Sequence, residues 1–171
     1  MEHTALLKFL PPEELQEKVK GIFEREAWVI RGNFPDTYMD IQEVGSTAIP
    51  GAWGKFDVDI QIRIFQKDFE DVVLFMKGYG EAKNTDCWTN QYALFNDPKD
   101  IIDYNVTVID SKHDIFQHIR DYLKEDTDAF QEYMELKMSY QGKLYSEYRV
   151  VRYAFFKDIR KRVRILKNLP E

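Results

Sequence analysis

One stretch constrains this chain more than any other: Val44 to Ile64, a turn rich in Gly, Ser and Pro followed by a run of strict alternation. Gly45, Ser46, Thr47, Pro50, Gly51 and Gly54 make the turn. Phe56, Val58, Ile60, Ile62 and Ile64 then fall on one face of a strand, and Asp57, Asp59, Gln61 and Arg63 on the other, because successive strand side chains point to opposite sides. Such an element needs a sheet that buries its apolar face. The same geometry sets Asp57 and Asp59 side by side, ~6–7 Å apart at a rise of about 3.3 Å per residue.

Adjacent carboxylates repel unless positive charge stands between them. Mg²⁺ takes oxygen ligands, usually one or two carboxylates together with phosphates. A turn of small residues just upstream lets backbone N–H groups approach a phosphate. Together these features read as a metal–nucleotide site. The competing reading is a solvated strand face after a plain turn, and the spacing leaves both open. Arg63 shares the acidic face and is expected to neutralise one of the two acids, in competition with a metal.

The remaining patterns predict an α+β architecture, in the order helix, strand, strand, helix, two strands and three helices. An extended lead-in covers Met1 to Leu10. Apolar residues at helical spacing predict a helix from about Pro12 to Ile30, opened by Pro11-Pro12 and Glu13-Glu14 and ended by Gly32 and Pro35. Strands are expected at Tyr38–Val44, Phe56–Phe65, Cys87–Asn96 and Ile101–Ile109, with Asn96-Asp97-Pro98 turning the last two into a hairpin. A short amphipathic helix fits Lys67–Lys77. After Lys112 the chain reads as helical, with a second helix near Asp128–Gly142. A third, Leu144–Leu166, turns Tyr148, Val151, Phe155, Ile159, Val163 and Leu166 inward. In the fourth strand Asp103, Asn105 and Thr107 share one face. If that face joins the one carrying Asp57 and Asp59, Asp103 is the third carboxylate.

The bulk properties fit one compact domain: 171 residues, 44% hydrophobic and 15% aromatic. The core is expected over about 12–110 and the C-terminal helices over about 112–167. A formal net charge of −6 argues against nucleic-acid binding by bulk attraction. The basic run Lys157–Lys167 leaves a local RNA or partner patch open beside its plainer reading, a solvated face at a helix C-terminus. Cys87 is the one cysteine and reads as a small core residue. His3, His113 and His118 are scattered, without zinc spacing. No apolar run approaches a membrane span and no signal peptide develops, so a cytoplasmic protein without a membrane partner is expected.

The run Gly45-Ser46-Thr47-Ala48-Ile49-Pro50-Gly51, then Gly54-Lys55 and the strand Phe56 to Ile60, resembles the signature of the GrpB family. Arg120-Asp121-Tyr122-Leu123 and the Tyr148…Arg152…Phe155 pattern extend the likeness through most of the chain. Glu43 and Asn105-Val106-Thr107 stand where many members carry histidines, which sets His-based chemistry aside. The resemblance implies a nucleotidyltransferase (polymerase β-like) fold: a mixed sheet with flanking helices and a C-terminal helical part. It also implies Mg²⁺-dependent transfer of a nucleoside monophosphate from an NTP to a small-molecule or macromolecular acceptor. Asp57 and Asp59 would then be metal ligands, and Asp103 the third ligand or the general base. Gly45, Ser46 and Thr47 would lie at the triphosphate, with Lys55 and Arg152 reaching phosphates. Arg149 shares a helix face with Arg152 and could join it or pair with acids. The alternative is a protein that keeps the fold and only binds a nucleotide or phosphorylated ligand, or serves as an interaction module.

Overall fold

A computed structural model describes residues 5–99 and 101–170. Residues 1–4 of the expected lead-in, His3 among them, lie outside the described residues. The sheet has five strands: β1 (Met39–Val44), β2 (Val58–Ile64), β3 (Glu81–Ala82), β4 (Tyr92–Asn96) and β5 (Ile102–Val108). Their spatial order is β1-β2-β5-β4-β3. Only β2 and β5 run parallel; every other pair is antiparallel. The helices are α1 (Pro12–Val19), α2 (Ile22–Gly32), α3 (Phe69–Tyr79), α4 (Phe116–Glu125), α5 (Thr127–Ser139) and α6 (Tyr145–Lys167). The architecture is mixed α+β, as the patterning predicts. Among the described residues no helix is long and apolar enough to cross a membrane.

The apolar face of the alternating strand does what its spacing requires. Val58, Ile60, Ile62 and Ile64 are fully buried in one cluster with α1, α2 and α3, through Leu15, Ile30, Val72 and Met76. A second cluster joins α4, α5 and α6 through Ile119, Leu123, Tyr133, Ile159 and Val163. Ile49 and Ala52 of the Gly-rich turn pack into that second cluster, so the turn is held against the helical part.

Several expected elements differ. The first helix is two, because Gly21 takes φ +74° between α1 and α2, a left-handed conformation natural to glycine. The acidic strand starts at Val58 rather than Phe56. The Asp57 N–H bonds back to the Lys55 carbonyl at 2.9 Å, and this tight turn leaves Phe56 exposed. The strand expected at Cys87 starts only at Tyr92, and Cys87 ends a 3₁₀ turn as an exposed thiol rather than a core residue. Leu166, expected inward, is 63% exposed in the last turn of α6.

Candidate active site

The polar faces of β2 and β5 point toward the C-terminal helices. Their parallel register pairs Asp59 with Asp103, Gln61 with Asn105 and Arg63 with Thr107. Asp103 therefore does join the acidic face, beside Asp59 on the neighbouring strand. Asp57 stands just before β2. All three carboxylates line one cleft of about 520 Å³ together with Gly45, Ser46, Lys55 and Arg152, a volume within the usual range for small-ligand sites. Thr47 is not among the lining residues: it is buried, and its carbonyl accepts a bond from Gln16 Nε2 at 2.8 Å.

The turn positions Asp59 by close approach. Gly45 has φ +74°, and a Cβ built on it would lie 2.0 Å from Asp59 Oδ2. Only glycine lets that carboxylate rest against the backbone. Arg120 of α4 braces the same place, donating from Nη1 to the Glu43 carbonyl at 2.9 Å. The two flanking acids have lysine partners: Asp57 pairs with Lys55 at 2.6 Å and Asp103 with Lys83 at 2.5 Å. Asp59 has no such partner among the described residues. Part of its surface reaches the cleft, yet protein encloses the group. Burial, then the negative charges of Asp57 and Asp103, push its pKa up to about 7 against the opposing pull of Arg152 and Lys55. Among the described residues no three of His, Cys, Asp or Glu stand close enough to hold an ion by themselves.

Arg63 does not neutralise the acidic pair, contrary to expectation. Its guanidinium forks onto Asp114, with Nε to Oδ1 at 2.7 Å and Nη2 to Oδ2 at 2.8 Å, and also bonds Asp40. Gln61 and Gln117 join the same buried network through Asp114 Oδ1. The polar face of β2 thus divides: its first half faces the cleft, and its second half fastens the start of α4 to the sheet.

The wall opposite the acids is cationic and aromatic. Arg152 lies half-buried on α6, its guanidinium 5.6 Å from the Phe156 ring centre. Burial weakens its basicity, but Tyr133, Tyr148 and the two acids Asp59 and Asp57 outweigh that and hold the charge firmly. Arg149 and Arg160 line the cleft from the same helix. Sequence reasoning missed Lys137 of α5. This lysine is 2% exposed, donates to the Trp53 carbonyl at 2.5 Å and sits 4.3 Å from the Tyr133 ring centre. Burial pulls its pKa down to about 7. A signal did exist, since Lys137 follows Ala129 and Tyr133 at four-residue steps on an otherwise apolar stripe.

The comparisons agree with this architecture. A UPF0157 protein of Vibrio cholerae serotype O1 is 26% identical over 155 residues, covering 90% of this chain and 81% of the relative. The crystal structure of the conserved protein GrpB from Enterococcus faecalis superposes with a TM-score of 0.69 at 18% identity. That match covers 91% of this chain and 95% of the other, and at such identity it speaks for the fold alone. The family model described as GrpB protein matches residues 13–162. The chain belongs to the GrpB family.

Proposed function

We propose that the cleft binds a Mg²⁺-complexed nucleoside triphosphate and transfers its nucleotidyl group to an acceptor hydroxyl. The observation that carries this reading is the Asp59–Asp103 register, which puts two carboxylates side by side on parallel strands, with Asp57 and Arg152 lining the same cleft. The donor set fits Mg²⁺, which takes hard oxygens, usually one or two carboxylates, and leaves other positions to phosphates and water. Burial, then the charges of Asp57 and Asp103, raise the Asp59 pKa, and a bound cation would offset both. When bound, the ion would supply charge neutralisation at the α-phosphate.

The chain's own residues have distinct parts. Asp59, with Asp57 or Asp103, would hold the ion. Backbone N–H groups at Gly45 and Ser46 and the Ser46 hydroxyl would hold the triphosphate. Arg152 would meet charge developing on the leaving pyrophosphate, and its enclosure in the cleft strengthens that interaction. In the transfer, an O–P bond forms between the acceptor oxygen and the α-phosphorus while the bond to pyrophosphate breaks. Asp103 would take the acceptor proton once the ligand draws it from Lys83.

One observation favours a second reading. Asp57 and Asp103 already hold lysines, so the cleft could bind a nucleotide or phosphorylated ligand through its cations without turnover. Calorimetric titration of MgATP and MgGTP into wild type and Asp59→Asn separates the cases. Metal-dependent binding that Asp59→Asn abolishes, followed by pyrophosphate release with an acceptor, supports the transferase. Binding without pyrophosphate release across an acceptor screen supports the binder. If neither nucleotide binds, both nucleotide readings fall; if the variant binds as tightly as wild type, the transferase loses its footing at Asp59 and binding through the cations stands.

A further inference from the structure

The last helix carries a feature that nucleotide binding leaves unused. Tyr148, Arg152, Phe156 and Arg160 follow at four-residue steps on α6, and all four line the cleft, as residues on one helical ridge do. Arg152 faces the acids. Arg160 is anchored two turns further on, about 12 Å along the axis at ~1.5 Å per residue. The basic C-terminal run is therefore not all solvated face, because one of its arginines turns inward.

Arg160 is half-buried, and among the described residues it makes no hydrogen bond and no ion pair. Burial weakens its basicity, and the opposing pulls come from the phenols of Tyr153 and Tyr92 rather than from a carboxylate. A guanidinium withdrawn from water without a counter-charge is costly, and a ligand oxyanion would offset that cost. Its planar fork of donors matches a carboxylate or phosphate with two parallel bonds. The surroundings are flat and apolar. Tyr92 stacks on Phe116 with ring centres 6.2 Å apart, and Tyr153, 65% exposed, stands at the rim. Aromatic walls of this kind favour a flat apolar body.

We propose that Arg160 anchors a second subsite of the cleft, which takes a small organic oxyanion (carboxylate or phosphate monoester) carried on an aromatic or similarly flat apolar group. That this anion is the acceptor rests on the nucleotidyl-transfer reading; the subsite itself does not. Phenyl phosphate and benzoate serve as probes, titrated by calorimetry into the full chain without nucleotide. Wild type is expected to bind at least one of them saturably, and preference between them identifies the oxyanion. Arg160→Gln should weaken that binding at least about tenfold, as loss of a charge-assisted pair does, while Asp59→Asn, which removes a negative charge from the cleft, should not weaken it. Arg160→Lys keeps the charge and the stem but not the fork. It should lose at least about threefold, and it decides the matter if the Gln variant does not fold. Binding of neither probe, full affinity in the Arg160 variants, or equal loss in Asp59→Asn would overturn the subsite. Failure of MgATP to bind while a probe still binds through Arg160 would sink the nucleotide reading alone.

Discussion

Replacing Lys137 with Met tests the charge layout of the cleft directly. Methionine keeps an unbranched apolar stem and removes the amine. When the chain unfolds, this lysine regains its ordinary pKa of 10.5; in the folded protein burial brings it down to about 7. Between those values the unfolded chain holds a proton that the folded one lacks. Stability therefore rises with pH there, by about 1.4 kcal/mol per pH unit at most. Below the folded value both states are protonated, and the penalty of the buried charge is felt in full. From about pH 7.5 to about pH 9.5 the wild type should gain about 2.5 kcal/mol relative to Lys137→Met. With a urea m-value of about 2 kcal/mol per molar, its midpoint should climb by about 1.2 M relative to the variant. Urea titrations followed by tryptophan fluorescence, at fixed ionic strength across the window, read the effect. A difference that stays flat with pH would refute the reasoning. The Trp53 carbonyl and the Tyr133 ring would then be holding Lys137 charged throughout.

Two further substitutions probe the frame around the cleft. Gly45→Ala forces a methyl into the place of the Asp59 carboxylate at a positive φ; it should cost about 1–3 kcal/mol and weaken MgATP binding, and an alanine variant with wild-type melting and binding would show that the contact is not needed. Asp114→Asn leaves the half-buried Arg63 with Asp40 alone and should cost about 3–5 kcal/mol in urea unfolding. Burial raises the Asp114 pKa, but the Arg63 hydrogen bonds and the Asp110 N–H outweigh it and hold the group below the usual aspartate range. Its contribution is thus present at neutral pH and is lost as pH falls through that lowered value, so acid unfolding of wild type and variant should converge.

Periodicity reported faces faithfully and neighbours poorly, and the site shows why. The alternation of Val58 to Ile64 followed from burial alone, so the inward isoleucines were legible. That Asp103 shares a face with Asn105 and Thr107 was legible for the same reason. Its adjacency to Asp59 was not, because strand order and parallel register are set by the crossover between β2 and β5, a tertiary choice. Asp57 was misplaced onto the strand because alternation cannot register a one-residue turn that turns Phe56 outward. Arg63 obeyed its face and still missed the acids. A long side chain on a buried strand takes the carboxylate that packs above it, and α4 brought Asp114 there.

Lys137 went unnoticed, and Arg160 was read only as part of the basic run Lys157–Lys167, for a different reason. Lys137 follows Ala129 and Tyr133 on its ridge, and Arg160 follows Phe156 on a ridge that also carries Arg152. A pattern search that asks only whether the ridge is apolar enough passes over them. A charge in such a position has to find a partner or give up its proton. Lys137 takes the Trp53 carbonyl and two aromatic rings, with a depressed pKa. Arg160 cannot shed its proton at physiological pH, since an arginine pKa lies far above that range even when burial lowers it. Of the two, Arg160 is therefore the residue whose position most requires an anion from outside the chain.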